Sequence, residues 1–171
     1  MKTTRNKSHS GFTLIELSVV AAILMMLATI ALPSFQATVS NAQVSAVQSQ
    51  LGRMRTACDF YAFQHCEQIP GHDDATGLWS EQTLLNQLQL ASNDDGITAV
   101  IGTAGYYFGP YLRDALPVNP FNDLTTIMVV QPGGTVLNAD DTTGWVYWAD
   151  TGSLKINSTT VTEDGVVLFE L

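Results

Sequence analysis

Beyond its first ten residues the chain has very little positive charge. Arg53, Arg55, Arg113 and Lys155 are the only basic side chains there, against all 16 acidic residues of the chain. Such a body has no basic patch to neutralise phosphates, so nucleic acid is not an expected partner. Histidine is scarce as well: His9 lies in the basic leader, and His65 and His72 lack the i, i+4 spacing of a helical zinc site. No Gly-x-Ser-x-Gly elbow and no Gly-x-x-x-x-Gly-Lys phosphate loop occurs. The two cysteines, Cys58 and Cys66, lack the surroundings of a nucleophile and are compatible with an oxidising compartment. Trp79, Trp145 and Trp148 read as core or interface residues. The sequence shows no catalytic constellation, and an enzyme is not expected.

What the chain does have is a basic leader followed by a long apolar run. Lys2, Arg5 and Lys7 precede SGFTLIELSVVAAILMMLATIALPSFQ, Ser10 to Gln36. From Phe12 to Leu32 the only ionisable side chain is Glu16. As a helix this run is roughly 30 Å long, the hydrocarbon thickness of a bilayer. A secretory signal peptide would explain the basic start, but no clear small-x-small cleavage site follows. A one-pass anchor would explain the length and leave Glu16 unexplained, because a carboxylate at bilayer depth costs about 2.5–3.5 kcal/mol on insertion scales. An acidic body behind a basic N-terminus predicts a cytoplasmic N-terminus and an exported body.

Ser10-Gly11-Phe12-Thr13-Leu14-Ile15-Glu16 resembles the processing motif of the type IV pilin and type II secretion pseudopilin superfamily. The resemblance implies cleavage by a prepilin peptidase between Gly11 and Phe12, then methylation of the new amine of Phe12. It implies that Glu16 pairs with the N-terminal amine of a neighbouring copy as a filament grows. Physically, an ammonium and a carboxylate in a dry helix bundle each cost several kcal/mol alone and much less together. Snorkelling of Glu16 to the headgroups is the plainer alternative. Pro33 matches a proline common in the family and predicts a kink, because an internal proline removes one helical hydrogen bond.

No proline appears between Pro33 and Pro70, and Val44, Val47, Leu51, Met54, Cys58 and Tyr61 form an apolar seam at helical spacing. Phe12 to about His65 therefore reads as one long kinked helix of roughly 80 Å. A free two-stranded coiled coil is the rival for the seam, at little more than two heptads. Cys58 and Cys66 would be roughly 12 Å apart on an unbroken helix. A disulfide needs about 4.4–6.8 Å between Cα atoms, so they either bridge after an early helix stop or remain two thiols.

The rest predicts a small head. Ser80 N-caps a helix over 81–88, and Asn93-Asp94-Asp95-Gly96 forms a turn. Short extended pieces are expected at 97–101 and 105–108. Hairpins are expected from 127–130 to 135–137 and from 145–148 to 154–156, with an edge strand at 166–170. The fold class is α+β: a long kinked N-terminal helix, membrane-spanning in its first half, packed on a small C-terminal antiparallel sheet. The divisions are a cleaved leader 1–11, a transmembrane and assembly helix 12–35, an amphipathic second half of the stem 36–66, and a pilin-like globular head 67–171.

Tyr111-Leu112, Leu116-Pro117 and Asn119-Pro120-Phe121-Asn122-Asp123, with Gly144-Trp145-Val146-Tyr147, resemble head motifs of major pseudopilins. That resemblance implies a structural subunit of a type II secretion pseudopilus, polymerising through its N-terminal helix to drive protein export. The alternatives are a type IV pilin or minor pilin for adhesion, motility or DNA uptake, and a membrane-tethered periplasmic binding domain. Implied partners are further copies in a helical filament, the prepilin peptidase, an inner-membrane assembly platform, other pseudopilins and membrane lipid. The implied location is the bacterial inner membrane, single-pass with a periplasmic head, and a periplasmic filament after assembly. Calcium is the one cofactor implied; Asn138, Asp140, Asp141 and Asp150 are its candidate ligands, with a solvated polar turn as the plainer reading.

Overall fold

The structure, a computed structural model, describes residues 12–74, 76–136, 138–162 and 164–171. Two compact units divide the chain, the first ending at Val39 and the second running Ser40–Leu171. Helix α1 spans Leu14–Gln64, 51 residues, and its backbone stays helical through Pro33.

In the first unit the apolar side chains of α1 have nothing to pack on: Leu14, Ile23, Met26 and Ile30 are all exposed. In the second unit the predicted seam is the core. Val47, Leu51, Met54, Cys58 and Tyr61 are buried, with Val44 packed at the edge and Ala57 and His65 extending the stripe. The helix stops in a Schellman arrangement. Glu67 N–H donates to Ala62 O at 2.8 Å, with Cys66 and Glu67 at φ 55° and 65°.

The head carries short elements around that seam. Strands β1 (His72–Asp73) and β2 (Leu78–Trp79) pair antiparallel, as do β3 (Ala91–Ser92) and β4 (Thr98–Ala99) across the expected turn at 93–96. Helix α2 (Glu81–Gln89) starts where Ser80 Oγ accepts from Thr83 N–H at 3.0 Å, and it buries Leu84, Gln87 and Leu88. Strands β5 (Ile127–Val130), β6 (Trp145–Trp148) and β7 (Leu154–Ile156) form the main sheet in the order β5-β6-β7.

The β6–β7 hairpin forms as expected, antiparallel with Trp145 opposite Ile156. The other expected hairpin does not. The chain turns at Gln131–Gly134, where Gly134 N–H donates to Gln131 O, but Thr135 and Val136 form no strand and Leu137 lies outside the described residues; β5 instead pairs with β6 in parallel, Ile127 opposite Trp145. The reason lies in the connection, which is pinned at Asp140 by Asn157 beside β7 and therefore delivers β6 at the start of β5. Trp145, Val146 and Tyr147 are all buried without alternation, as a central strand covered on both faces requires. The expected edge strand at 166–170 is a single bridge from Val167 to Val161 followed by a 3-10 turn at Leu168–Glu170.

Candidate functional site

The free end of α1 is built by a reciprocal cap. Thr13 precedes the helix, and its Oγ1 accepts from Glu16 N–H at 3.2 Å. Glu16 reaches back, and its Oε2 accepts from Thr13 N–H at 2.9 Å and from Thr13 Oγ1 at 2.8 Å. This is a capping box, which satisfies two orphan donors of the first turn and holds the carboxylate at the positive end of the helix dipole. Both donors go to Oε2; Oε1 accepts no hydrogen bond from a described residue. Phe12, exposed, precedes the box, and Gly11 lies outside the described residues. Behind the box, Leu14–Leu32 is the one described helix segment long and apolar enough to cross a membrane, and none of it is buried within the fold.

The remaining sequence candidates stay apart. The proposed Cys58–Cys66 bridge is absent: both thiols are free, Cys58 buried in the seam and Cys66 exposed beyond the helix end. The helix continues six residues past Cys58, so the early stop that a bridge needs does not occur. Burial, reinforced by the neighbouring Asp59 charge, pushes the Cys58 thiol up to about 12. The four calcium candidates are not brought together. Asp140 and Asp141 lie beside Asn157 and Thr159, beyond one end of β7, whereas Asp150 lies in the β6–β7 turn at the other end, roughly 10 Å of strand away. Asn138 is exposed. Asp140 Oδ1 accepts from Asn157 and Thr142, which hold the carboxyl below the usual carboxylate range, and Asp141 takes Thr159 N–H and Oγ1. Among the described residues no group of three or more His, Cys, Asp or Glu is placed to hold a metal.

Residues 6–32 match the family model for the prokaryotic N-terminal methylation motif. A fimbrial protein of Pseudomonas aeruginosa is 31% identical over 119 residues, which cover 64% of this chain and 77% of that relative. The chain belongs to the type IV pilin family. A type IV major alpha-pilin of Moraxella bovis is 37% identical over 111 residues, covering 57% of this chain and 70% of its own length. A type IV major fimbrial protein, FimA of Dichelobacter nodosus, is 53% identical over 51 residues, covering 30% and 33%. No solved structure matches the chain. These relatives are fimbrial proteins and pilins, so they favour the pilin alternative over the secretion pseudopilin that the head motifs suggested.

Within this pilin two polar joints escaped the sequence reading. Asn157, 1% exposed, is a hub. Its Nδ2 donates to Asp140 Oδ1 at 2.7 Å and to Thr143 Oγ1 at 2.9 Å, its Oδ1 accepts from Asp140 N–H, and its carbonyl accepts from Asn122 Nδ2 at 3.0 Å. Asn119, fully buried, donates to Gly144 O and accepts from Phe121 N–H. The aromatic Phe121 packs on the core as expected, but the left-handed residue of this loop is Asp123, φ 57°, rather than Asn122. His65 ties the end of α1 to β3, with Nδ1 on Tyr61 O at 2.9 Å and Nε2 on Asn93 O at 3.0 Å. The Thr13–Glu16 cap was not read from the sequence either, although its Thr-x-x-Glu spacing could have shown it; the side-chain partners of Asn157, the Gly144 carbonyl on Asn119 and the Asn93 carbonyl on His65 are 14 or more residues away in sequence.

Proposed function

We propose that this chain is a structural subunit of a type IV pilus-type filament. The peptide bond between Gly11 and Phe12 is cut, Phe12 is methylated at its amine, and residues 12–35 hold the subunit in the inner membrane until assembly. The basic leader keeps the N-terminus cytoplasmic and the acidic head outside. The observation that carries the reading is the Thr13–Glu16 box at the tip of a wholly uncovered apolar helix. Such a helix needs lipid or other helices around it, because water makes no favourable contact with its side chains.

Assembly transfers that helix from lipid to a bundle of copies. Glu16 Oε2 is already occupied, which leaves Oε1 for the protonated amine of the next copy's Phe12. A single buried charged pair in an otherwise apolar bundle sets helix register, the best-attested role of such groups. Pro33 removes one hydrogen bond of the stem helix, which lets α1 bend beside it.

N-terminal mass analysis, in cells with and without the peptidase, tests the processing. A chain starting at N-methylated Phe12 is expected, and one left uncut or cut near Ala31 sinks the reading. Glu16→Ala is then expected to insert normally and yield few or no filaments. Surface filaments in the parent strain support a pilus; loss of protein export with no surface filament would return the pseudopilus reading.

A further inference from the structure

An open cavity of about 210 Å³ lies between the end of α1, the β1–β2 hairpin and the turn after β3. Tyr61, Gln68, His72, Asp74, Trp79 and Asp95 line it. Tyr61 is 1% exposed, yet its hydroxyl makes no hydrogen bond to any described residue. Gly96 makes room for that hydroxyl, since a Cβ there would stand 2.5 Å from it. The ring is buried while the hydroxyl faces the cavity, so it is available to bond a group placed there.

The rest of the cavity supplies acceptors and ring faces. Asp74 and Asp95 are exposed carboxylates at its rim. His72 Nδ1 lies 2.7 Å from Asp74 Oδ1, and its ring packs 5.1 Å from Trp79. Carboxylates beside aromatic faces recognise an organic cation with several N–H donors, and a planar guanidinium fits best. A divalent metal does not suit the site, since among the described residues no such cluster of ligands is close enough.

The chain also carries an unpaired cation. Arg53 pairs with Asp114 at 3.0 Å, Arg55 donates to the carbonyls of Leu154 and Leu171, and Lys155 lies 5.3 Å from the centre of the Phe169 ring. Arg113 is exposed and, among the described residues, is the one basic side chain without a partner. It lines a groove with Arg53 and Phe60, separate from the acidic cavity, so cavity and arginine belong to two different surfaces of one head. We propose that the Tyr61–Asp74–Asp95 cavity of one copy receives the Arg113 guanidinium of a second copy. Two different surfaces meeting in this way make a heterologous contact, which repeats without closing and so suits a filament. The proposal rests on the filament reading above.

The test uses the full-length chain in cells that assemble it. With Arg113→Cys and Asp95→Cys together, in a Cys66→Ser background, oxidation is expected to give a ladder of disulfide-linked copies. Arg113→Glu and Asp95→Arg are each expected to cut filament yield at least about tenfold, and the two together to restore it. Tyr61→Phe is expected to lower yield severalfold with no loss of thermal stability, since the hydroxyl holds nothing inside the head. Filaments from the unaltered chain with no ladder, or a ladder to a different protein, overturn the contact and leave the filament reading standing. If the double-cysteine chain fails to assemble, the charge-swapped chain decides: recovery supports the contact and no recovery overturns it. Absence of filaments from the unaltered chain overturns the filament reading itself, and the contact with it.

Discussion

Cys66 occupies a left-handed backbone position, φ 55°, where a Cβ costs about 1 kcal/mol or more and glycine costs none. Cys66→Gly is therefore expected to stabilise the head by about 1 kcal/mol, a rise of roughly 2–4 °C in Tm. The two thiols should separate chemically. A maleimide is expected to label Cys66 alone in the folded chain and both only after denaturation, because Cys58 is buried and its thiolate disfavoured. Asp140 gives a pH signature. Its folded pKa is lowered, first by Asn157, so its contribution to stability is present above the ordinary Asp range and is lost as pH falls through it. Compared by thermal unfolding from pH 7 to pH 3, Asp140→Asn is expected to be less stable than the parent at neutral pH and to converge with it in acid. Of these residues, the sequence marked Cys58, Cys66 and Asp140 as notable but not their roles. The αL turn is a local cap that the sequence reading missed, whereas the Asn157 contact exists only once distant segments meet.

At the scale of elements, the α1 seam is the main support of the head. Leu51→Ala removes a 1% exposed side chain facing the sheet and is expected to cost about 3 kcal/mol, visible as a lower midpoint in urea unfolding. Asn157→Ala is expected to cost less, about 1–2 kcal/mol, since it removes the buried side chain that bonds Asp140 N–H, Asp140 Oδ1 and Thr143 Oγ1 while keeping the carbonyl that accepts from Asn122. The seam was legible because helical periodicity is local: six residues at spacings of three and four specify one face whatever they pack against. The Ser80 cap and the β6–β7 hairpin were legible for the same reason. The pairing of β5 was not. Gln131-Pro132-Gly133-Gly134 carries the turn chemistry of a hairpin and does turn, but a strand's partner depends on where a distant anchor carries the chain.

At the scale of the molecule, two units with opposite solvent demands share one helix. The second unit buries its own core, whereas the apolar side chains of the first are uncovered. Removing residues 1–39 is therefore expected to leave a head that dissolves without detergent and melts in one cooperative transition; aggregation without such a transition would show that the core needs the apolar half. The acidic head and sparse arginines make contacts between copies depend on a few cations, so filament yield is expected to respond to Arg113 far more than to any single surface acid other than those lining the Tyr61 cavity.

Processing motif, membrane-length helix, stem seam and α+β class are all carried by runs of neighbouring residues, because each depends on a short-range property: a recognisable motif, hydrocarbon length or helical period. The parallel β5–β6 pair, the dispersed carboxylates and the Tyr61 cavity depend on contacts between residues far apart in the chain. Those contacts are settled by which polar groups find partners when the core closes, and no local spacing encodes that outcome.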